Sequence, residues 1–245
     1  MLSEGFLYRR LAGFVPCALP GVAGGSLLLR NKWQVASLRD VFLSSHYWRI
    51  FEHLDGPPSF VVDLGGHCGH FVVLCELMLE ERFGESQARY LVVEGLAELV
   101  DNIRATFADT RLGSRATIVH GLAGRRSGTA QLRSGPSNLL EASVVSGNGD
   151  RRGGEVAYVD LFRHVPDGTM IDILKVDIEG SEYDLVDAYP TLLERTRLLA
   201  MEVHQTDRPA AGLLQAIEAA RLRPCLPHIH KGPNLLVLFK RETRG

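Results

Sequence analysis

The sequence lacks several things that would each have set its class. It has only four cysteines, Cys17, Cys68, Cys75 and Cys225, and no two form a CxxC pair. That spacing supports neither a disulfide framework nor a zinc knuckle, and a reducing cytoplasm is the expected location. Neither sign of charge dominates, with a formal net charge of -2. Bulk charge therefore gives no reason to expect nucleic acid or an anionic membrane as a partner. No apolar run is long enough to span a bilayer. LAGFVPCALPGVAGG follows Arg9 and Arg10, but Glu4 precedes it and Pro16, Pro20 and glycines break it up. It reads as a packing arm rather than an export signal.

What is present is ordinary globular material. The chain has 245 residues, 45% hydrophobic and 23% charged, enough for one large core with a small attached segment. We expect residues 1–58 to form an N-terminal helical arm and residues 59–245 the main domain. In SLRDVFLSSHYWRIFEHL, Leu38, Val41, Phe42, Trp48, Phe51 and Leu54 fall at helical spacing. Ser37 is placed to cap that helix, with Asp40 three residues on. Trp33, Tyr47 and Trp48 are expected to pack the arm onto the domain, and the arm to form one wall of an acceptor pocket.

Beyond Pro58 the pattern alternates. Apolar runs at FVVDL (60–64), YLVVE (90–94), ATIVHG (116–121), IDILKVD (171–177) and LLAMEVH (198–204) are separated by helical stretches, and NLLVLFKR closes the chain. Near-continuous apolar runs between helices predict a doubly wound, mostly parallel α/β sheet with helices on both faces and an antiparallel last strand. Pro190 is expected to break the helix after the fourth run. Residues 124–155, rich in Gly, Ser and Arg, depart from this rhythm. TAQLR and EVAYVDL there suggest a hairpin around a loop, whose arginines can meet an anionic substrate or simply face solvent.

In such a sheet, ligands bind beyond the carboxyl ends of the strands. The first run ends in DLGGHCG, where Gly65 and Gly69 are expected to leave room for a ligand. The spacing is not the Gly-x-Gly-x-x-Gly of a dinucleotide site. The second run ends in Glu94, a carboxylate able to accept both hydroxyls of a ribose. Together these favour a nucleoside ligand without a pyrophosphate, which S-adenosylmethionine fits better than a nicotinamide dinucleotide.

The ordered set VVDLGGHCG, YLVVEG, HGLAG, ILKVDIEGSE and LLAMEVH resembles the FkbM family of S-adenosylmethionine-dependent methyltransferases, over roughly residues 60–204. The resemblance implies a class I methyltransferase fold and O-methylation of a hydroxyl on a small molecule or glycan. It places Asp63, Gly65 and Gly69 against the methionine part of S-adenosyl-L-methionine, with Gly66 and His67 also expected to bind the cofactor. Glu94 then holds the ribose, and Leu122 and Ala123 lie near the adenine. A nicotinamide-dependent reductase or a non-catalytic nucleotide-binding module are the alternatives.

The fourth run ends in Asp177 and the fifth in Glu202 and His204. Alternation puts Glu202 and His204 on one strand face and Lys175, Asp177 and Glu179 on another. Two mechanisms suit these groups. In one, His204 is a general base tuned by a carboxylate such as Glu202. In the other, Asp177, Glu202 and His204 hold magnesium or manganese, which activates the acceptor hydroxyl. Glu182 is read as a first-turn charge on the next helix, and Lys175 as the partner of Asp177 or Glu179. Cys68 and the His228–His230 pair are weaker candidates. Self-association is left open.

Overall fold

A computed structural model describes residues 16–18, 26–28, 32–43, 47–108, 110–135, 138–145 and 154–242. Its centre is an eight-stranded sheet. The sequence enters it at β3 (Phe60–Leu64), after the short antiparallel pair β1 (Pro16–Ala18) and β2 (Ser26–Leu28). β4 (Arg89–Glu94), β5 (Ala116–His120), β9 (Ile171–Val176) and β10 (Thr196–Val203) join β3 in parallel. β13 (Asn234–Arg241) runs antiparallel to β10 and carries β11 (Leu222–Pro224) and β12 (Ile229–Lys231). The order β11-β13-β10-β9-β3-β4-β5 reverses direction at β3. The sheet is the doubly wound, mostly parallel one expected, with its last strand antiparallel.

The alternation inside β3 shows why both faces are covered. Phe60, Val62 and Leu64 enter one core, with Tyr183, Leu185, Leu192 and Ile217 from α5 (Glu182–Ala188), α6 (Pro190–Glu194) and α7 (Ala210–Ala219). Val61 enters the other, with Phe71, Val72 and Cys75 from α2 (His70–Phe83) and Ile103 and Phe107 from α3 (Ala97–Phe107). The strands are therefore apolar on both sides, as parallel strands under two helical layers must be. α4 (Leu112–Arg115) leads into β5. Pro190 opens α6 at its first position, where its missing N–H costs nothing.

Two sequence expectations change here. The stretch 37–54 does not form one helix in the described residues. α1 (Lys32–Leu38) ends as Ser37 is reached, a π-helical turn covers Arg39–Leu43, and a 3-10 helix covers Trp48–His53. Ser37 is not a cap: its hydroxyl lies 3.0 Å from His70 Nδ1, both buried, so the site is filled from the domain side. Trp48 is exposed while Tyr47 is buried. The 124–155 stretch also holds more order than a hairpin. β6 (Thr129–Gly135) pairs with β8 (Glu155–Ala157) on one edge and with β7 (Asn138–Val145) on the other.

Candidate functional site

The carboxyl ends of β3, β4, β5 and β9 open into one cleft. It is lined by Gly65, Gly66 and His67 after β3, Glu94 and Leu96 at β4, Leu122 and Ala123 after β5, and Asp177 and Glu179 after β9. Its enclosed part is about 150 Å³. That is below the roughly 300–1,000 Å³ of small-molecule sites, so a nucleoside ligand would also occupy the open mouth.

Glu94 is 8% exposed. One oxygen accepts the His67 N–H at 2.8 Å and the other the Leu96 N–H at 2.8 Å. Each oxygen keeps a lone pair for a further donor. Burial pushes this carboxyl up to about 7, against the pull of those two N–H groups. The His67 backbone is left-handed, at φ 46°, and both its ring nitrogens are enclosed with no hydrogen-bond partner among the described residues. An L-residue rarely holds that conformation without compensation. Burial keeps the ring neutral, with its pKa lowered to about 4.

Gly65 and Gly66 line the cleft, and a side chain at any of the three glycines would meet the chain's own atoms. A Cβ on Gly65 would stand 1.8 Å from the Asp177 carbonyl oxygen, and one on Gly66 2.2 Å from Val92. One on Gly69 would meet the Phe107 ring at 2.8 Å. The chain's own atoms claim that space, and Gly69 lies outside the cleft lining.

Asp63 and Lys175 stand directly opposite in the β3–β9 register. The Lys175 ammonium lies 3.3 Å from Asp63 and 3.8 Å from Asp177, and donates to the Gly65 carbonyl at 2.7 Å. Burial opposes its charge, yet the Asp63 and Asp177 carboxylates hold its pKa above the ordinary value. Burial raises the Asp63 pKa, and Lys175 resists it.

Past Val176 the chain leaves the strand and turns. Glu179 is left-handed at φ 52° and Gly180 follows at φ 101°. This turn swings Glu179 toward β10, where its carboxylate lies 3.3 Å from His204 Nε2. Asp177 is 3.9 Å from the same nitrogen. His204 Nδ1 lies 2.9 Å from Glu182, which is fully buried and also accepts the N–H groups of Ile178 and Gly180. Glu182 thus does more than charge the first turn of α5: it fixes the imidazole. Burial works against charging His204, but the bond to Glu182 and the charges of Glu182, Asp177 and Glu179 raise its pKa to about 9. Burial raises Glu179 to about 7 while His204 pulls it down.

Asp177, Glu179 and His204 each offer a ligand atom, all within 4.8 Å of one another. Among the described residues this is the one such grouping. Glu202 was expected in that set, but it is bound by Lys231 and by Asn234 at 3.2 Å, from the β12–β13 hairpin. Its carboxylate remains 3.9 Å from His204 Nε2. His228 and His230 do not join a metal-type cluster, and burial pushes the Cys68 thiol far up, away from a nucleophilic thiolate.

Alternation did not reveal the contact between Tyr47 and Asp177. The Tyr47 ring packs edge-on against Phe71 and its hydroxyl donates to Asp177 at 3.3 Å. Burial, then Asp177 and Glu202, hold its pKa well above the ordinary value, so it stays a donor. Replacing Tyr47 with phenylalanine should cost about 1–2 kcal/mol, as for one bond to a charged group, and raise the Asp177 pKa. Denaturant midpoints and the Asp177 carboxyl carbon shift would check both.

No protein-family model matches the sequence. No curated protein matches it either. Among solved structures, methyltransferase FkbM from Methylobacillus flagellatus KT is similar at 16% identity and a TM-score of 0.54, over 82% of this chain and 47% of that one. The chain thus spans about half of that protein's length. Fibrillarin from Aeropyrum pernix, solved with S-adenosyl-L-methionine, aligns at 12% identity and TM-score 0.44, over 75% and 66% of the two chains. Precorrin-6y C5,15-methyltransferase from Geobacter metallireducens aligns at 10% and 0.44, over 89% and 91%. Strand order, strand direction and the likeness to the first of these together show that the chain has the class I methyltransferase fold.

Proposed function

We propose that the chain is an S-adenosylmethionine-dependent methyltransferase that methylates a hydroxyl of a small molecule or glycan. One observation carries this reading: Glu94 and the Asp177–Glu179 pair face a single cleft from the tips of β4 and β9, on either side of β3. The residues present suit the cofactor. Glu94 has an acceptor free on each oxygen for two ribose hydroxyls, and His67, whose ring has no hydrogen-bond partner among the described residues, lines the same cleft. Leu96, Leu99, Leu122, Ala123 and Leu132 offer an apolar wall to a purine. When bound, S-adenosylmethionine supplies an electrophilic methyl group.

The chain's own residues then have two tasks. Asp177 stays ionised: Lys175, His204 and Lys231 lower its pKa although burial opposes them. It accepts a hydrogen bond from the acceptor and orients it. Glu179 stands at the cleft wall and takes the hydroxyl proton as oxygen becomes the nucleophile. His204, absent from the cleft lining, sits behind Glu179 and stabilises its charge, and Glu182 holds His204 in place. This gives Glu179 the proton-accepting role first expected of His204.

Asp177, Glu179 and His204 also have the chemistry of a divalent-cation site, with Glu182 supporting the imidazole from behind. The test is transfer of labelled methyl from S-adenosylmethionine to a panel of hydroxyl compounds, alongside calorimetry with S-adenosylhomocysteine and with a nicotinamide dinucleotide. Glu179→Gln should lower turnover by roughly 10²–10⁴-fold, the usual worth of a general base. Full activity in excess chelator fits the acid–base reading. Activity lost to chelator and restored by magnesium or manganese would assign the same three side chains to a metal. Nicotinamide binding without S-adenosylhomocysteine binding would overturn the proposal.

A further inference from the structure

A second cavity lies behind the wall that Leu122 and Ala123 present to the cleft. It is an open-mouthed hollow of about 760 Å³, with Arg126 55% and Arg163 82% exposed at its rim. Its lining comes from the end of β5 (Val119, His120), the turn entering β6 (Arg126) and the segment after β8 (Asp160, Arg163, His164). Backbone bonds from Leu122 to Ala157 and from Val159 to Leu122 close the floor between the two cavities.

The charge in this cavity is unbalanced. Arg126 and Arg163 share one carboxylate, Asp160, at 3.6 and 4.0 Å. One Asp160 oxygen is also held by the Phe162 N–H, capping the short 3-10 helix Leu161–Arg163. Among the described residues, two permanent cations therefore face one carboxylate that already has a structural bond. Arg126 is further fixed by stacking over Phe162, 5.0 Å from the ring centroid. Stacking leaves the guanidinium edge free to donate, as recognition of planar or tetrahedral oxyanions requires. His120 and His164 add two imidazoles to the same wall.

We propose that this cavity binds the phosphate group of a small molecule, with Arg126 and Arg163 as its donors. The proposal stands apart from the methyl-transfer reading, since none of the residues named for that reaction is used here. The source of the phosphate is either a free anion or a monoester such as a sugar phosphate.

The test measures ³¹P line broadening and calorimetric binding of inorganic phosphate and of glucose 6-phosphate to the full chain. Wild-type binding is expected near the millimolar range, which two charge-assisted contacts allow, and should weaken as salt is raised. The paired substitution Arg126→Met and Arg163→Met should raise the dissociation constant at least tenfold, with an unchanged melting temperature. Arg208→Met, which removes a guanidinium paired with Asp184 and Asp187, should leave binding unchanged. Tenfold tighter binding of the sugar phosphate would assign the cavity to a monoester, and equal binding to the free anion. No binding of either probe to wild type, or binding that survives the paired substitution, would overturn the proposal.

Discussion

Lys175→Met is expected to destabilise the protein by about 3–5 kcal/mol, the cost of leaving one partner of a buried ion pair alone. Lys175 and Asp63 are 5% and 1% exposed, and neither Asp63 oxygen has a hydrogen bond among the described residues. The ammonium is therefore the main counterweight to the Asp63 charge. The same atom ties the Gly65 carbonyl to Asp177, so its loss loosens the start of the cleft as well. Adding Asp63→Asn to Lys175→Met should recover much of the stability, because the uncompensated charge goes too. Urea midpoints of the two single variants and the double variant decide it. A single Lys175→Met variant as stable as wild type would refute this account of the pair.

The second large effect is on cofactor affinity. Glu94→Gln should weaken S-adenosylhomocysteine roughly hundredfold, since a charged acceptor of two hydroxyls becomes a neutral amide with one acceptor oxygen. The same residue predicts a pH dependence with a definite sign. Its folded pKa of about 7 lies above the ordinary 4.5. The ligand-free protein holds that proton where the unfolded chain has lost it, so stability falls as pH rises from 4.5 to 7. The loss is on the order of 3 kcal/mol at full ionisation. A bound ribose favours the ionised form, so affinity should climb as pH rises toward 7 and level off above it. Thermal shifts with S-adenosylhomocysteine should then be larger at pH 8 than at pH 6, and Glu94→Gln should flatten the difference.

The sheet was legible because its strands are buried on both faces and cannot disguise their apolar runs. Strand ends were legible too, and of the residues expected there Glu94 and Asp177 line the cleft. The alternation rule, however, holds only inside a strand. β9 ends at Val176, and the left-handed turn at Glu179 and Gly180 rotates the next carboxylates off the expected faces. That is why Glu179 joins Asp177 and Glu202 around His204, and why Glu182 reaches back to the imidazole. Lys231 was hidden for a related reason, since only the hairpin's closure brings it to Glu202. Tyr47 comes from a segment 130 residues before Asp177, and no local pattern encodes a contact of that span.

The close approach of Gly65 to the Asp177 carbonyl leaves no room for even a methyl group between the two halves of the site. On the proposed function, the methyl-donor seat and the acceptor seat would form one rigid casting, joined at the backbone. Directed evolution of a new acceptor preference should therefore succeed at the rim, on the hairpin that carries Lys231, and fail at the strand tips.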